Sequence, residues 1–390
     1  MLHVLYLVHD LSDPAVRRRV AMLRSGGAEV TLAGFRRADD VAPELEALKP
    51  VDLGRTADGR FAQRLLAVAK AAASLAGRLK GVRKPDVIIG RNLEMLALAR
   101  RATSLFATDI PVVYECLDIH RLLLGQNGVS RAMRGAERAL GRDVSLLMTS
   151  SPAYVRDYFR PFGQIDAPVV LLHNKVLELG GGPAADPPAT ALPGGPPWTI
   201  GWFGALRCRK SLELLAAFTR RMQGRFEIVL RGRPAYREFA DFEGFVAHQP
   251  FMRFEGPYRN PEDLAAIYGA VHFSWVIDFF EEGLNSTWLL PNRLYEGCLH
   301  GAVPIAMRGT ETGRFLADRH MGFLLDEATL EMVEALLGGV TPERYAAARQ
   351  RVLLEDRGTW VCDVRDCLAL VERLRTLAPA VEPAVALQAA

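Results

Sequence analysis

The sequence predicts an α/β protein made of two doubly wound, Rossmann-like domains that face each other across a cleft. Its 390 residues exceed what one hydrophobic core usually holds, so two domains are expected. Continuous apolar runs rich in Val and Ile alternate with helical patterns, which is typical of parallel strands covered on both faces. A Gly- and Pro-rich stretch over residues 179–197 interrupts this alternation, which then starts again. We interpret that stretch as an interdomain linker.

The first domain is predicted over residues 1–178. Asp13 and Pro14 suit the N-cap and the first turn of a helix, which we place at Pro14–Ser25. The predicted strands are the apolar runs Val4–Val8, Glu29–Gly34, Asp86–Gly90, Pro111–Glu115, Leu146–Thr149 and Val169–Leu172.

The second domain is predicted over residues 198–358. Its expected strands are Trp198–Phe203, Phe226–Arg231, Phe251–Glu255, Val271–Trp275 and Val303–Ala306, and its expected helices are Ser211–Met222, Asp263–Tyr268, Arg293–His300 and Pro342–Leu354. Residues 359–378 are predicted to form a C-terminal helix (Cys362–Leu377) that returns to the first domain. The low-complexity residues 379–390 are expected to form a flexible tail.

The composition is that of a globular protein without a membrane span. No apolar run approaches the roughly 20 residues that cross a bilayer. The apolar N-terminal run leads directly into His9 and Asp10, so we interpret it as a strand and not as a signal peptide. Five scattered cysteines without a CxxC pair indicate a reduced, cytoplasmic protein that has no structural zinc site.

The charges are divided unevenly between the two halves. Residues 1–175 carry 26 Lys and Arg against 18 Asp and Glu, whereas residues 176–390 carry 22 against 27. A basic first half indicates an anionic partner. No zinc finger, RNP sequence or Arg-rich tail is present, so nucleic acid is disfavoured and a phosphate-bearing substrate at an anionic membrane surface is favoured. Two predicted helices could contact anionic lipid headgroups; the alternative is that each packs one face on the core and exposes the other to water. One helix carries Arg131, Arg134, Arg138 and Arg142 on one face, and the other is the amphipathic helix over 61–82.

In an open parallel sheet, ligands bind beyond the carboxyl ends of the strands, so the candidate residues lie in strand-to-helix loops. His9, Asp10 and Asp13 follow the first strand; Asp13 suits a helix cap, whereas His9 and Asp10 have no such role. Further along the first domain, two carboxylates and a histidine lie at the end of a strand, and these residue types are suited to proton transfer. The alternative is that they have a structural role. The residues are Glu115, Asp118 and His120, of which we favour Asp118 as the base.

The second domain offers candidates for binding a diphosphate and a ribose. Gly204 lets the backbone approach a diphosphate, and Arg207 or Lys210 could neutralise it. The helix that begins near Pro291 points its amides towards the same region, and Glu296, about one turn inside, can accept both ribose hydroxyls. Arg231, Asn285, Asn292 and Arg293 complete the set. No DxD triplet occurs, so we expect no metal ion, and Arg, Lys and helix amides must stabilise the leaving diphosphate.

The segment from Asn285 to Ala306, with Pro291-Asn292-Arg293-Leu-Tyr-Glu296-Gly at its centre, resembles the donor-site helix and following strand of GT-B glycosyltransferases. It is most similar to the succinoglycan-type, ExoL-like exopolysaccharide glycosyltransferases. The stretches 9–19 and 149–155 are also similar to that group, and the likeness extends over about residues 1–330.

The resemblance implies a bacterial enzyme on the inner face of the cytoplasmic membrane, held there peripherally. Its implied reaction moves a sugar, a hexose such as glucose, from a UDP-sugar to a polyprenyl-diphosphate-linked glycan, without any other cofactor. Glu296 matches the carboxylate that holds the nucleotide ribose, and Lys210 resembles the lysine of the phosphate-binding loop. His9, Asp10 and Asp13 are then the acceptor-binding candidates.

Two departures from the family pattern favour inversion with a side-chain base. Retaining relatives carry a second glutamate eight positions before the ribose-binding one, where this chain has Trp288. Their phosphate-loop arginine falls near Ala205, so Arg207 or Arg209 would have to replace it. A sugar-nucleotide epimerase and a non-catalytic nucleotide- or glycan-binding subunit of a polysaccharide assembly complex are the alternatives. An NAD-linked dehydrogenase is disfavoured, because no glycine fingerprint follows Val8.

Overall fold

The computed structural model describes residues 1–37, 41–56, 61–106, 109–180, 192 and 194–378. The chain forms two compact units. The first unit comprises Met1–Thr149, Arg156–Leu172 and the chain from Asp363 onwards, and the second comprises Ser150–Val155 and His173–Cys362. Most of the predicted linker (181–191 and 193) and the predicted tail (379–390) lie outside the described residues.

A seven-stranded parallel sheet forms the centre of the first unit. Its strands are β1 (His3–Val8), β2 (Glu29–Arg36), β3 (Val51–Arg55), β4 (Val87–Arg91), β5 (Val112–Cys116), β6 (Val144–Thr149) and β7 (Val169–Leu171). Their order across the sheet is β3-β2-β1-β4-β5-β6-β7, and all pairings are parallel. Every residue of β1, β4 and β5 is buried, as expected for strands covered on both faces.

The helices of the first half follow the strands as predicted. They are α1 (Pro14–Ser25), α2 (Pro43–Glu46), α3 (Phe61–Arg78), α4 (Leu93–Phe106), α5 (Arg121–Leu124), α6 (Gly128–Gly141), α7 (Pro152–Tyr154) and α8 (Arg160–Phe162), with a π-helical turn at Val155–Phe159 between the last two. α1 has the predicted bounds, because Asp13 Oδ1 accepts a hydrogen bond from Ala15 N at 2.8 Å and Pro14 fits the first turn.

A six-stranded parallel sheet and a two-stranded one lie in the second unit. Their strands are β8 (Val176–Leu177), β9 (Trp198–Leu206), β10 (Phe226–Pro234), β11 (Met252–Phe254), β12 (Phe273–Trp275), β13 (Val303–Met307), β14 (Phe323–Leu325) and β15 (Val361–Cys362). The larger sheet has the order β11-β10-β9-β12-β13-β14, and β8 pairs with β15. Trp198, Trp202 and Trp275 are fully buried in its main core.

The remaining helices are α9 (Arg209–Arg221), α10 (Phe242–Ala247), α11 (Leu264–Gly269), α12 (Asn285–Trp288), α13 (Asn292–Leu299), α14 (Glu311–Ala317), α15 (Leu330–Leu337), α16 (Pro342–Leu354), α17 (Arg357–Trp360) and α18 (Val364–Arg375). α18 belongs to the first unit and packs against α1. The approach is close, since a Cβ atom added at Gly26 would lie 2.2 Å from the carbonyl oxygen of Cys367.

Some bounds differ from the prediction for local reasons. α13 begins at Asn292, one residue before the predicted start, and Pro291 is its N-cap. α18 begins at Val364 because Asp363 caps it, and Cys362, predicted to be helical, lies in β15 instead. The short strands β3, β8, β14 and β15 were not predicted. Among the described residues, no helix combines the length and the apolar character that crossing a membrane requires.

Candidate active site

Glu296 is a buried carboxylate on α13 in the second unit. Its Oε1 accepts a hydrogen bond from Asn260 Nδ2 at 2.7 Å, and its Oε2 accepts one from Tyr268 Oη at 3.0 Å. These bonds offset the cost of burying the charge. Because a carboxylate oxygen has two lone pairs, it can accept from a protein donor and a ligand hydroxyl together. Asn260 itself is exposed, so the pair connects the buried carboxylate to the surface.

Two glycines bring the ends of β9 and β10 together near this carboxylate. Gly232 has φ +132°, and a Cβ there would lie 1.9 Å from the carbonyl oxygen of Gly204. Gly204 has φ +105°, and its nearest side-chain atom is Tyr258 Oη, 3.8 Å from the site of a Cβ. Burial, followed by the charge of Glu296, raises the pKa of Tyr258. Tyr258 therefore connects Gly204, the predicted donor-binding residue, with the neighbourhood of Glu296.

Asp278 joins two of the predicted cations, Arg207 and Arg293. Its Oδ2 accepts from Arg207 Nε and Nη2 at 3.2 and 3.0 Å, and lies 3.8 Å from Arg293 Nη2. Burial alone would raise the pKa of Asp278, but the two guanidinium groups outweigh it and the pKa is lowered. Burial lowers the pKa of Arg293, which also donates to the carbonyl of Ile277 at 3.1 Å.

Lys210, at the start of α9, is also paired with a carboxylate. Its Nζ lies 2.7 and 2.9 Å from the two oxygens of Glu282, and both side chains are about half exposed. Arg231 is paired elsewhere, since its Nε lies 3.2 Å from Glu255 Oε2. Lys210 and Arg207 thus lie together at the start of α9. Arg231 lies apart from them, on β10, and pairs with Glu255 after β11.

The two predicted asparagines lie on α12 and α13. Asn285 is buried and donates from Nδ2 to Glu281 Oε2 at 2.7 Å. Asn292 is exposed at the first position of α13. The chain between these asparagines helps to line a cavity of about 210 Å³ at the carboxyl ends of β12, β13 and β14. Its lining includes Asp278, Glu282, Thr287, Met307 and Thr310.

In the first unit, Glu115 is fully buried in an ionic network. Its Oε1 accepts from Arg19 Nε at 2.6 Å, and its Oε2 accepts from Tyr6 Oη and from Arg91 Nη1 at 3.4 Å. Burial alone would raise the pKa of Glu115, but Arg19 and Arg91 hold it below the ordinary value. This environment favours a structural role over proton transfer with a substrate.

The other two base candidates lie on the following loop. His120 caps α5, because its Nδ1 accepts from Leu122 N at 3.3 Å. Asp118 lies between β5 and that helix, and its side chain is exposed. Of the three candidates, Asp118 is the one with an exposed side chain, and its role as the base stays a prediction.

The acceptor candidates lie together at the carboxyl end of β1. Asp13 caps α1 and accepts from Arg91 Nη2 at 3.0 Å, while Asp10 Oδ1 accepts from Ser12 N at 3.0 Å. His9 Nδ1 lies 3.4 Å from Asn92 Nδ2. Burial, followed by Arg91 and Arg37, lowers the pKa of His9 to about 3.

The basic helix faces are partly used inside the first unit. Arg134 is buried and donates from Nη1 to the carbonyls of Leu123 and Gly125 at 2.5 and 2.8 Å. Arg138 donates from Nη2 to the carbonyl of Phe162 at 2.8 Å. These two side chains therefore stabilise loops, and Arg131, Arg138 and Arg142 are all exposed.

Sequence reasoning missed several residues of the site. Asn260, Tyr268 and Asp278 contact the predicted residues but come from distant positions in the chain. Asp278 could have been found, since it follows the predicted strand Val271–Trp275. Arg91 could have been found in the same way, at the end of β4. Among the described residues, no group of three His, Cys, Asp or Glu is placed to hold a metal ion, and independence of metals stays a prediction.

Comparison with known proteins identifies the class. Residues 13–175 match the glycosyl transferase 4-like domain. The structure is similar to sucrose-phosphate synthase from Thermosynechococcus elongatus, with a TM-score of 0.68, 15% identity and coverage of 96% of this chain and 98% of that one. It is also similar to Anabaena HepE in complex with UDP-glucose, with a TM-score of 0.63, 14% identity and coverage of 96% and 100%. The predicted GT-B fold is confirmed. The domain match, together with the relative described next, shows that the protein is a glycosyltransferase.

A closer relationship defines the family. The chain is 60% identical over 392 aligned residues to the succinoglycan biosynthesis protein ExoL of Rhizobium meliloti (strain 1021), covering 99% of this chain and 97% of that protein. The chain belongs to the ExoL family of glycosyltransferases, as its sequence motifs predicted.

Proposed function

We propose that this enzyme transfers a hexose, such as glucose, from a UDP-sugar to a polyprenyl-diphosphate-linked glycan during synthesis of a succinoglycan-type exopolysaccharide. The name of the Rhizobium relative supports the pathway, and the UDP-glucose in the HepE structure supports the donor class. The observation that carries the donor site is the buried carboxylate of Glu296, whose two oxygens accept hydrogen bonds from Asn260 and Tyr268.

The donor would extend from Glu296 past Gly204 to the start of α9. Glu296 accepts the ribose hydroxyls, and Gly204 lets the backbone approach the diphosphate. Arg207 and Lys210, with the amides at the start of α9, neutralise the diphosphate as it leaves. Charge stabilisation of this kind requires no metal ion.

The reaction would invert the anomeric centre. Asp118 removes the proton from the acceptor hydroxyl, whose oxygen forms a bond to the anomeric carbon as the bond from that carbon to the diphosphate oxygen breaks. Exposure of Asp118 at the end of β5 supports this role, because Glu115 is enclosed and His120 caps a helix. His9 and Asp10, at the end of β1, are proposed to contact the acceptor.

The donor site is tested by calorimetric binding of UDP, GDP and ADP to the wild type and Glu296→Gln. We expect selective binding of UDP and at least a tenfold loss in the variant. Glu137→Gln is the matched control, since Glu137 is an equally buried carboxylate that accepts from Tyr114 Oη at 2.9 Å in the first unit. Normal UDP binding by Glu296→Gln would place the nucleotide elsewhere.

The base is tested by transfer from UDP-glucose to membrane-extracted, lipid-linked glycan. Asp118→Asn should lose turnover and keep its affinity for UDP, whereas Asp109→Asn, at another exposed carboxylate of the first unit, should retain both. Full activity of Asp118→Asn would remove this assignment. The anomeric configuration of the product, read by NMR, tests inversion directly.

Peripheral attachment to the inner face of the cytoplasmic membrane is also proposed. Leu65 and Leu66 on α3 are 48% and 64% exposed, near the exposed Lys70, while Val68 and Leu75 face the core. Such a surface suits an anionic bilayer. The double variant Leu65→Glu/Leu66→Glu should lose sedimentation with anionic liposomes at low salt. Leu354→Glu, at an exposed leucine of the second unit, should not.

A further inference from the structure

Two short segments of the second unit contact each other through three pairs of residues. One segment, 207–210, leads into α9, and the other, 278–282, follows β12. Arg207 pairs with Asp278, the Sγ atom of Cys208 accepts from the amide of Phe279 at 3.3 Å, and Lys210 pairs with Glu282. The Lys210 Nζ atom also lies 4.4 Å from the centre of the Phe279 ring.

The two ion pairs of this junction differ in how firmly they are held. Asp278 is 11% exposed, accepts from the amide of Phe280 at 2.9 Å and lies between two guanidinium groups. Glu282 is 57% exposed, and its partner Lys210 is 46% exposed. Exposed ion pairs contribute little to stability and exchange readily, whereas a buried, multiply bonded carboxylate stays in place. Of the two ion pairs, only Glu282–Lys210 is therefore suited to opening, so that another anion can replace the carboxylate.

We propose that Glu282 is an internal competitor for the donor at Lys210, and that the donor diphosphate takes its place when it binds. Two carboxylate oxygens at 2.7 and 2.9 Å from Nζ mimic the paired oxygens of a phosphate group. Asp278 remains in place and orients Arg207. This inference rests on the proposed function, which assigns Lys210 and Arg207 to the diphosphate.

The surroundings leave room for the exchange. Gly283 follows Glu282 with φ +77°, a conformation that glycine adopts without strain. Glu282 also lines the cavity of about 210 Å³ beside β12, β13 and β14, so the displaced carboxylate has a volume to enter. The affinity for donor then depends on the fraction of molecules in which Lys210 is released.

The test is a double-mutant cycle on the affinity for UDP, measured by calorimetry. Glu282→Gln keeps the shape and removes the charge, so it should bind UDP about two- to fivefold more tightly than the wild type. In a Lys210→Ala background the same change should have no effect. Glu213→Gln is the control, because Glu213 forms an exposed pair with Arg209 at 2.7 Å on the same helix and carries the same charge. It should leave UDP affinity unchanged.

Each other result overturns the inference in a recognisable way. Unchanged or weaker UDP binding by Glu282→Gln, with clear loss in Lys210→Ala, refutes competition and leaves the donor site standing. Tighter binding by Glu282→Gln that persists in the Lys210→Ala background indicates a general charge effect and also refutes it. Normal UDP binding by Lys210→Ala refutes both the proposed role of Lys210 in the donor site and the competition by Glu282.

Discussion

The buried Glu115 should stabilise the first unit, although it lies close in sequence to the proposed base Asp118. We predict that Glu115→Gln destabilises the first unit strongly, since it leaves Arg19 buried without its carboxylate partner. Breaking a buried ion pair by removing one member typically costs about 3–5 kcal/mol. For a unit of this size, 1 kcal/mol lowers Tm by about 2–4 °C, so a fall of roughly 6–20 °C is expected.

The effect should also depend on pH. The folded state holds the pKa of Glu115 below its ordinary value, so the unfolded chain takes up the proton first as the pH falls. The stabilisation is therefore complete above about pH 4.3 and is lost as the pH falls further through the folded pKa. The Tm difference between wild type and Glu115→Gln should shrink in that acid range.

Differential scanning calorimetry between pH 3 and pH 8 measures both effects. The control is Glu44→Gln, which breaks an exposed pair with Arg17 and should change stability by no more than about 1 kcal/mol. A Glu115→Gln protein with wild-type Tm at pH 7, or with a Tm difference that grows towards low pH, would refute this account of the network.

Three further predictions concern single residues. His9 should stay neutral between pH 5 and pH 8 when its imidazole resonances are followed by NMR. Below about pH 6.5 the unfolded chain binds a proton at His9 and the folded protein does not, so acidification destabilises the wild type. The His9→Gln variant should therefore lose less stability than the wild type as the pH falls towards 4. Gly232→Ala should lose UDP binding because its Cβ meets the Gly204 carbonyl, whereas Gly27→Ala, also at positive φ but in open space, should retain it. Asn260→Ala should bind UDP at least several-fold more weakly in calorimetry, since Glu296 loses a hydrogen-bond donor.

The main strands and α1 could be predicted because their signals are local. Buried parallel strands are continuously apolar, and the Asp13–Pro14 pair marks a helix start. β3 could not be recognised, since Asp52, Gly54 and Arg55 interrupt the apolar pattern at an edge of the sheet. β14, a three-residue strand at the edge of the second sheet, was also missed, although the equally short β11 and β12 were predicted.

The candidate site was predictable only in part, for a different reason. Glu296 was recognisable because a carboxylate in an otherwise apolar helix needs partners, but those partners are set by tertiary structure. The partners of Glu115 are also set by tertiary structure, since Arg19 comes from α1 and Arg91 from β4. The local sequence therefore does not show that Glu115 is buried while Asp118 is exposed.

The position of α18 has a consequence for synthesis of the chain on the ribosome. The first unit is discontinuous: its sheet is complete by Leu172, but the helix that covers α1 starts about 190 residues later. At about 5–20 residues per second, that interval lasts roughly 10–40 s. Until then the surface around Gly26 has no α18 to cover it. The nascent first unit is therefore expected to keep this surface uncovered and to finish folding only when the last part of the chain has been made.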